Sequence, residues 1–282
     1  MIKVDGVTKR LGNFIIDDIS FDIPKGYICG MAGRNGAGKT SIFNLLTGIY
    51  TPERGEIYID GMPLTENESK IHEMTGFVFT EELFEKYSSL DQNAKMYCRY
   101  FEDFDYGLFV RYLKEFELEE KQKYGKLSKG QKIKFEFAFA IAHNPKVLFL
   151  DEPSANFDPK FRIKFFEILR NFIRDGEKTV LISSHQTDDL DVIADYLIFV
   201  DKGKIVYDGD IESFRDKYII VTAENYKIRN LPKDKMISSE EGKYSSKALV
   251  YDSKSFYDDS SLTVTVPSIE EFMYFYSKKS EN

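Results

Sequence analysis

The sequence is short of the features that would tie it to a membrane interior, to the outside of a cell or to nucleic acid. Cysteine is scarce: Cys29 and Cys98 are the only two in 282 residues, and they lack metal-ligand spacing. That excludes a disulfide framework and points to a reducing compartment. No run of about 18 uncharged apolar residues occurs, so no segment is expected to cross a bilayer as a helix. The opening residues, Met1 to Gly6, lack the basic-then-apolar order of a signal peptide. A basic excess is missing too, with 39 Lys and Arg against 47 Asp and Glu and a net charge of -8. A protein that grips nucleic acid through its bulk field is thereby excluded, although a local basic groove is not. The expectation is a soluble, cytosolic, globular chain, long enough for one large domain or two unequal ones.

What the sequence does contain is a succession of punctuated apolar runs. Ile15, Ile16, Ile19, Phe21 and Ile23 alternate with polar residues and stop at Pro24-Lys25-Gly26, a strand followed by a turn. Residues 27–32 suit a buried strand, and 40–46 have helical spacing up to Gly48. Residues 55–61 read as a strand closed by an Asp-Gly turn. From about 81 to 127 apolar residues recur at three and four, as in Phe109, Tyr112, Leu113 and Phe116, and aromatics are dense. This stretch reads as a helical insert. Strands over 147–150, 179–183 and 196–200 then alternate with helices over 161–173 and 188–194. Such alternation implies an α/β architecture, a mostly parallel sheet with helices on its faces. Beyond about Phe214 come a strand over 218–222, a polar region over 229–261, a strand over 262–266 and a helix capped near Pro267-Ser268.

Gly33-Arg34-Asn35-Gly36-Ala37-Gly38-Lys39-Thr40 fits G-x-x-x-x-G-K-[ST] and lies between an apolar strand and a helix that takes in Ser41. The glycines let the backbone curl until several N–H groups converge on phosphate oxygens. The helix behind the loop turns its positive end on the same anion. Lys39 is placed for the β- and γ-phosphates of a nucleotide, and the Thr40 hydroxyl for Mg²⁺. A second apolar strand ends in Asp151-Glu152. Ligands of parallel sheets bind beyond the carboxyl ends of strands, so these carboxylates are expected to face the phosphate loop. Asp151 suits Mg²⁺, a hard cation that takes oxygen ligands, and Glu152 suits a general base toward water. ATP hydrolysis with Mg²⁺ is the chemistry this pair of motifs implies.

Leu127-Ser128-Lys129-Gly130-Gln131 closely resembles the LSGGQ signature of ATP-binding cassette (ABC) proteins. The run 152–159 resembles that family's catalytic glutamate through D-loop, and Ser183-Ser184-His185 resembles its switch motif. With the phosphate loop, four motifs in the family's order cover roughly residues 1 to 210. The resemblance implies a P-loop NTPase-type sheet flanked by helices, with an antiparallel β subdomain, a helical insert and a small C-terminal α+β extension. The implied division is a nucleotide-binding domain over 1–215, its helical subdomain over about 81–145, and a C-terminal domain over 216–282. The resemblance also implies that Ser128, Lys129, Gly130 and Gln131 act on the nucleotide of a second cassette, a copy or a paralogue. Asp158 is then the relay across that interface, and His185 touches the γ-phosphate and orients Glu152 and water.

Three positions depart from the family pattern. Leu11, in Lys9-Arg10-Leu11-Gly12, stands where the family carries an aromatic to stack on adenine, with Phe14 as the substitute ring. Weaker or less base-selective nucleotide binding is the expected consequence. Thr80 or Glu81 stands where the Q-loop glutamine belongs, and Lys129 replaces a signature glycine. Glu152 and His185 are kept, so the expectation is a hydrolysing subunit rather than a regulator without turnover. The implied partner is a separate transmembrane permease, which places the chain peripherally on the cytoplasmic face of the cell membrane. The aromatic insert around Phe84 to Phe116 is the implied docking surface, with at least half of its rings needed for its own core. The run 267–272 resembles bacterial ABC-2-type exporter ATPases, including small-peptide exporters. A soluble ATPase acting on DNA or ribosomes is the alternative. Only Thr80 to Leu127 separates the Q-loop from the signature, no second cassette follows, and no nucleic-acid partner is expected.

Overall fold

A computed structural model of the chain describes residues 1–79, 83–184, 187–251, 256–257 and 259–279. The first two strands, β1 (Ile2–Leu11) and β2 (Phe14–Ile23), form a hairpin that closes with Leu11 opposite Phe14. The alternation that marks β2 in the sequence is its buried face. β1 escapes notice because its register shifts near Val7, so its apolar residues lose their period of two. β3 (Ile28–Ala32) is buried throughout and feeds α1 (Lys39–Leu46) through the glycine loop. β4 (Arg54–Ile59), β5 (Met62–Pro63) and α2 (Leu64–Glu73) follow, then β6 (Thr75–Val78). β2, β1, β4 and β5 make the antiparallel sheet.

The insert contains α3 (Leu90–Tyr97), α4 (Tyr106–Glu115) and α5 (Lys129–Ala142). Its aromatics point mostly inward. Phe84 touches Tyr97, Tyr124, Phe135 and Phe139, and Phe116 packs between Phe137 and Phe161. Among its described residues, Leu83, Tyr87, Met96 and Tyr100 are the large apolar side chains that stay exposed. Most of the rings from Phe84 to Phe116 therefore belong to the insert's own core, in line with the expectation that at least half would.

β7 (Val147–Asp151), α6 (Pro159–Phe172), β8 (Thr179–Ser183), α7 (Thr187–Ile193), β9 (Tyr196–Asp201) and β10 (Lys204–Asp210) complete the frame. The central sheet has the order β10-β9-β3-β8-β7-β6. All of its pairs are parallel except β9 with β10. Being buried on both faces, β3, β7 and β8 are continuous apolar runs, as a covered parallel sheet requires. The carboxyl ends of β3, β7 and β8 lie in one row, with Ser183 in register with both Met31 and Asp151.

The remaining elements are α8 (Ile211–Lys217), β11 (Tyr218–Glu224), α9 (Asn225–Arg229), β12 (Met236–Glu241), β13 (Ser245–Tyr251), β14 (Thr263–Thr265) and α10 (Ile269–Lys279). The polar region over 229–261 thus contains two strands that composition conceals. β12 is an edge strand whose outer half is exposed and acidic, the kind of edge that discourages further pairing. One face of the β12-β13-β11-β14 sheet buries Ile219, Val221, Ala248 and Val250 in a core of its own. The other face shares the main core: Phe272 of α10 meets Phe199 and Phe214 at 5.0 Å and Tyr218 at 4.7 Å between ring centres. Ser268 caps α10 by accepting the Glu271 N–H at 3.1 Å. Residue 215, the expected domain limit, falls inside α8. Among the described residues no helix is long and apolar enough to cross a membrane.

Candidate nucleotide site

The loop between β3 and α1 is shaped by a backbone that only glycine tolerates at its last turn. Gly38 has φ 112°, and a Cβ there would lie 2.8 Å from Ile16 Cδ1 and 3.0 Å from Phe14 Cζ. α1 starts at Gly38 without a side-chain cap, which leaves its first N–H groups to an anion. Lys39 is only 6 % exposed, and its ammonium donates to the Gly33 carbonyl at 2.7 Å. Burial lowers its pKa, partly offset by Glu152 and Asp151. A buried cation with few counter-charges, beside uncapped amides, suits a polyphosphate. A cleft of about 580 Å³ opens here, lined by Leu11, Phe14, Arg34, Asn35, Gly36, Gly38, Lys39, Thr40, Ser41, Tyr50 and Glu152. The hairpin end puts Leu11 and Phe14 on this cleft together, because they are cross-strand partners. Ala37 is buried beneath the loop.

Asp151 closes β7 at 3 % exposure. Thr40 Oγ1 donates to its Oδ2 at 3.0 Å, and Ser183 Oγ donates to its Oδ1 at 2.5 Å. Burial raises its pKa against these two hydroxyls, which lower it. A hydroxyl that lines the cleft and the carboxylate hydrogen-bonded behind it are the oxygen donors that Mg²⁺ takes, so the residues fit that ion. Glu152 follows in the left-handed region, φ 50° and ψ 44°, which costs a non-glycine residue about 1 kcal/mol. Its Oε1 lies 4.0 Å from the Lys39 ammonium. One carboxylate thus sits at the strand end for a metal and the next leans over the phosphate cleft.

The signature turn has a different character. Ser128 caps α5 in a reciprocal box: its Oγ accepts the Gln131 N–H at 3.2 Å, and Gln131 Oε1 accepts the Ser128 N–H at 3.0 Å. The accepting hydroxyl keeps its own proton to donate. Ser128 and Lys129 are exposed. A Cβ on Gly130 would lie 2.5 Å from the Asn156 carbonyl, so the turn packs directly on the segment leading to Asp158. Asp158 caps α6 and meets Lys134 at 3.3 Å; the Phe161 N–H, then Lys134, lower its pKa. Signature and D-loop residues form one solvent-facing patch, and the cleft lining includes none of them.

Thr80, Glu81 and His185 lie outside the described residues. Tyr50, on the cleft, was not singled out by the sequence, where it is one aromatic before a Thr-Pro turn. Ser183 appeared only as part of the Ser-Ser-His run. The acidic Asp189 gave no signal, yet it is fully buried, pairs with Arg162 of α6 and accepts the Ser154 hydroxyl at 2.5 Å.

The family model for ABC transporters matches residues 16–155. The Nod factor export ATP-binding protein I of Burkholderia lata is 31% identical over 219 residues, covering 74% of this chain and 70% of that protein. The chain belongs to the ABC transporter ATP-binding proteins. As a member of that family it is an ATP-binding subunit and an ATPase. The ABC transporter ATP-binding protein YtrB of Bacillus subtilis is 26% identical over 220 residues, 78% of this chain and 75% of that protein. Among solved structures, an ATP binding subunit of an ABC transporter matches with TM-score 0.71 at 20% identity, over 83% of this chain and 96% of the other. A dimeric cassette in a post-hydrolysis state, bound to ADP and Pi, matches with TM-score 0.66 at 24% identity, over 75% and 99%. These two likenesses establish the fold: a P-loop-type sheet between helices, with the antiparallel and helical additions.

Proposed function

We propose that this subunit powers export across the cytoplasmic membrane, paired with a second cassette and bound peripherally to a transmembrane permease on the cytoplasmic face. The observation that carries the ATPase site is the meeting of Lys39, Thr40, Asp151 and Glu152 at adjoining strand ends. Lys39 and the loop amides bind the phosphates, with Arg34, Asn35, Gly36 and Ser41 along the same rim. Leu11 and Phe14 take the base side. Thr40 and Asp151 hold Mg²⁺, which supplies charge neutralisation on the phosphates when bound. Glu152 accepts the proton of the attacking water, and Lys39 stabilises charge on the γ-phosphoryl oxygens. Beyond the described residues, the proposal keeps His185 as a γ-phosphate contact and Thr80 or Glu81 at the Q-loop position.

The exposed face of Ser128, Lys129, Gly130 and Asp158 is read as the half-site for a partner's nucleotide, and residues 216–282 as an accessory domain. Tyr87, Met96 and Tyr100 offer the permease an apolar patch. Export, rather than import, is supported by the Nod factor export relative. The test is purification of the tagged chain from a solubilised membrane fraction. A multi-spanning protein is expected to co-purify, and Tyr87→Asp with Tyr100→Asp to release it. Recovery with nucleic acid alone would contradict the transporter reading.

A further inference from the structure

The left-handed backbone at Glu152 needs support, because residues other than glycine rarely keep it unless their surroundings over-determine it. Two supports reach this turn, from β8 before the switch histidine and from α7 after it. Ser183, the last residue of β8 and fully buried, accepts the Glu152 N–H at 2.9 Å and donates to Asp151 Oδ1 at 2.5 Å. A hydroxyl has one proton; since Ser183 spends it on the carboxylate, its lone pairs face the amide. The same oxygen therefore fixes the Asp151 carboxylate and the backbone of the next residue. Two residues further on, Ser154 donates to Oδ2 of Asp189 at 2.5 Å. Asp189 is held in turn by Arg162, on the helix that Asp158 caps.

We infer that Ser183 and Asp189 are positioning residues for hydrolysis, clamping both sides of the Glu152 turn so that its carboxylate stays over the phosphate cleft. The inference rests on Glu152 being the base. Neither clamp lines the cleft, so neither touches the nucleotide directly. Their loss lets Glu152 relax out of the left-handed region and swing its carboxylate from the reacting water. A small displacement of a catalytic group is felt in turnover rather than affinity. Removing the Ser183 oxygen deletes one buried atom and leaves the packing of β8 otherwise intact.

The experiment compares Ser183→Ala, Ser154→Ala and Glu152→Gln in the full chain. It measures kcat, the KM for ATP, ADP affinity by calorimetry, and backbone deuterium uptake of residues 147–157 without nucleotide. Ser154→Ala is used because it cuts the second clamp and leaves the buried Asp189 paired with Arg162. Ser183→Ala is expected to lower kcat about tenfold or more while KM and ADP affinity stay within about twofold. Uptake over 147–157 should rise while that over 28–32 stays parental. Ser154→Ala should act in the same direction and less. Parental kcat in both serine variants overturns the inference, as does a kcat loss matched by an equal loss of ADP affinity. Glu152→Gln separates the two claims. If it hydrolyses ATP at the parental rate, the assignment of the base fails; if it is inactive while both serine variants keep parental kcat, only the clamp fails.

Discussion

At the phosphate loop the polar groups are bound up within the chain, whereas at the signature turn they look outward. Lys39 and Asp151 are buried and tied to Gly33, Thr40 and Ser183. Ser128, Lys129 and Asp158 are exposed, and Ser128 and Asp158 are partnered on this face by the half-buried Gln131 and Lys134. Burying a cation and a carboxylate is costly and is repaid where a ligand of matching charge arrives. Exposed helix caps carry no such burial cost and stabilise their own helices by about 1 kcal/mol. The contrast supports the proposal that one chain is preorganised to bind a nucleotide and offers its signature turn to another molecule.

The comparison breaks first at Lys39. Lys39→Ala removes the buried cation and is expected to weaken ATP and ADP binding by at least a hundredfold, about 3 kcal/mol, measured by calorimetry on the single chain. Affinity near the parental value would mean that the loop amides alone hold the phosphates. Next in size is the outward face. Ser128→Arg fills the turn without touching the cleft, so ADP affinity should stay within about twofold while ATPase activity drops at least tenfold. A matched loss of both would place the signature turn on the chain's own nucleotide and abolish the contrast.

Most of the buried half was legible in the sequence, and for a physical reason. A phosphate loop needs glycine at fixed steps, and a covered parallel strand needs an unbroken apolar run, so Gly33 to Thr40 and Val147 to Asp151 leave sharp traces. The helices and strands around them follow the same periodicities, and the family resemblance assigned the rest. What stayed hidden was held by long-range hydrogen bonds between ordinary residues: Ser183 to the Glu152 amide, or Asp189 to Ser154 and Arg162. No local pattern encodes such pairs. β12 was hidden because an exposed acidic edge has the composition of a loop, and β1 because its register shifts spoil the alternation. In the aromatic insert the density of rings announced a core as well as a docking surface, and most of these rings pack that core.

A smaller effect sharpens the comparison along α5, whose first residues are the exposed signature and whose end is buried. His143 follows the helix at 4 % exposure, stacks on Phe101 and meets the Thr75 carbonyl at 3.1 Å through Nε2. Burial depresses its pKa to about 4, below the 6.5 of a free imidazole. The unfolded chain therefore binds the proton more readily between those values. The stability is present above pH 6.5 and is lost as pH falls toward 4, by about 2 kcal/mol at pH 5. Thermal melts at pH 7 and pH 5 should show that loss, and His143→Gln should flatten it. An unchanged pH dependence in the variant would assign the acid sensitivity to other groups.

The central claim is that two cassettes complete each other's sites around ATP. The most direct test is the mass of Glu152→Gln in solution with ATP and Mg²⁺, by light scattering. The account predicts a species of twice the chain's mass with ATP, a single chain with ADP, and hydrolysis reduced by at least a hundredfold. A variant that stays a single chain with saturating ATP, or that hydrolyses ATP at the parental rate, would contradict it.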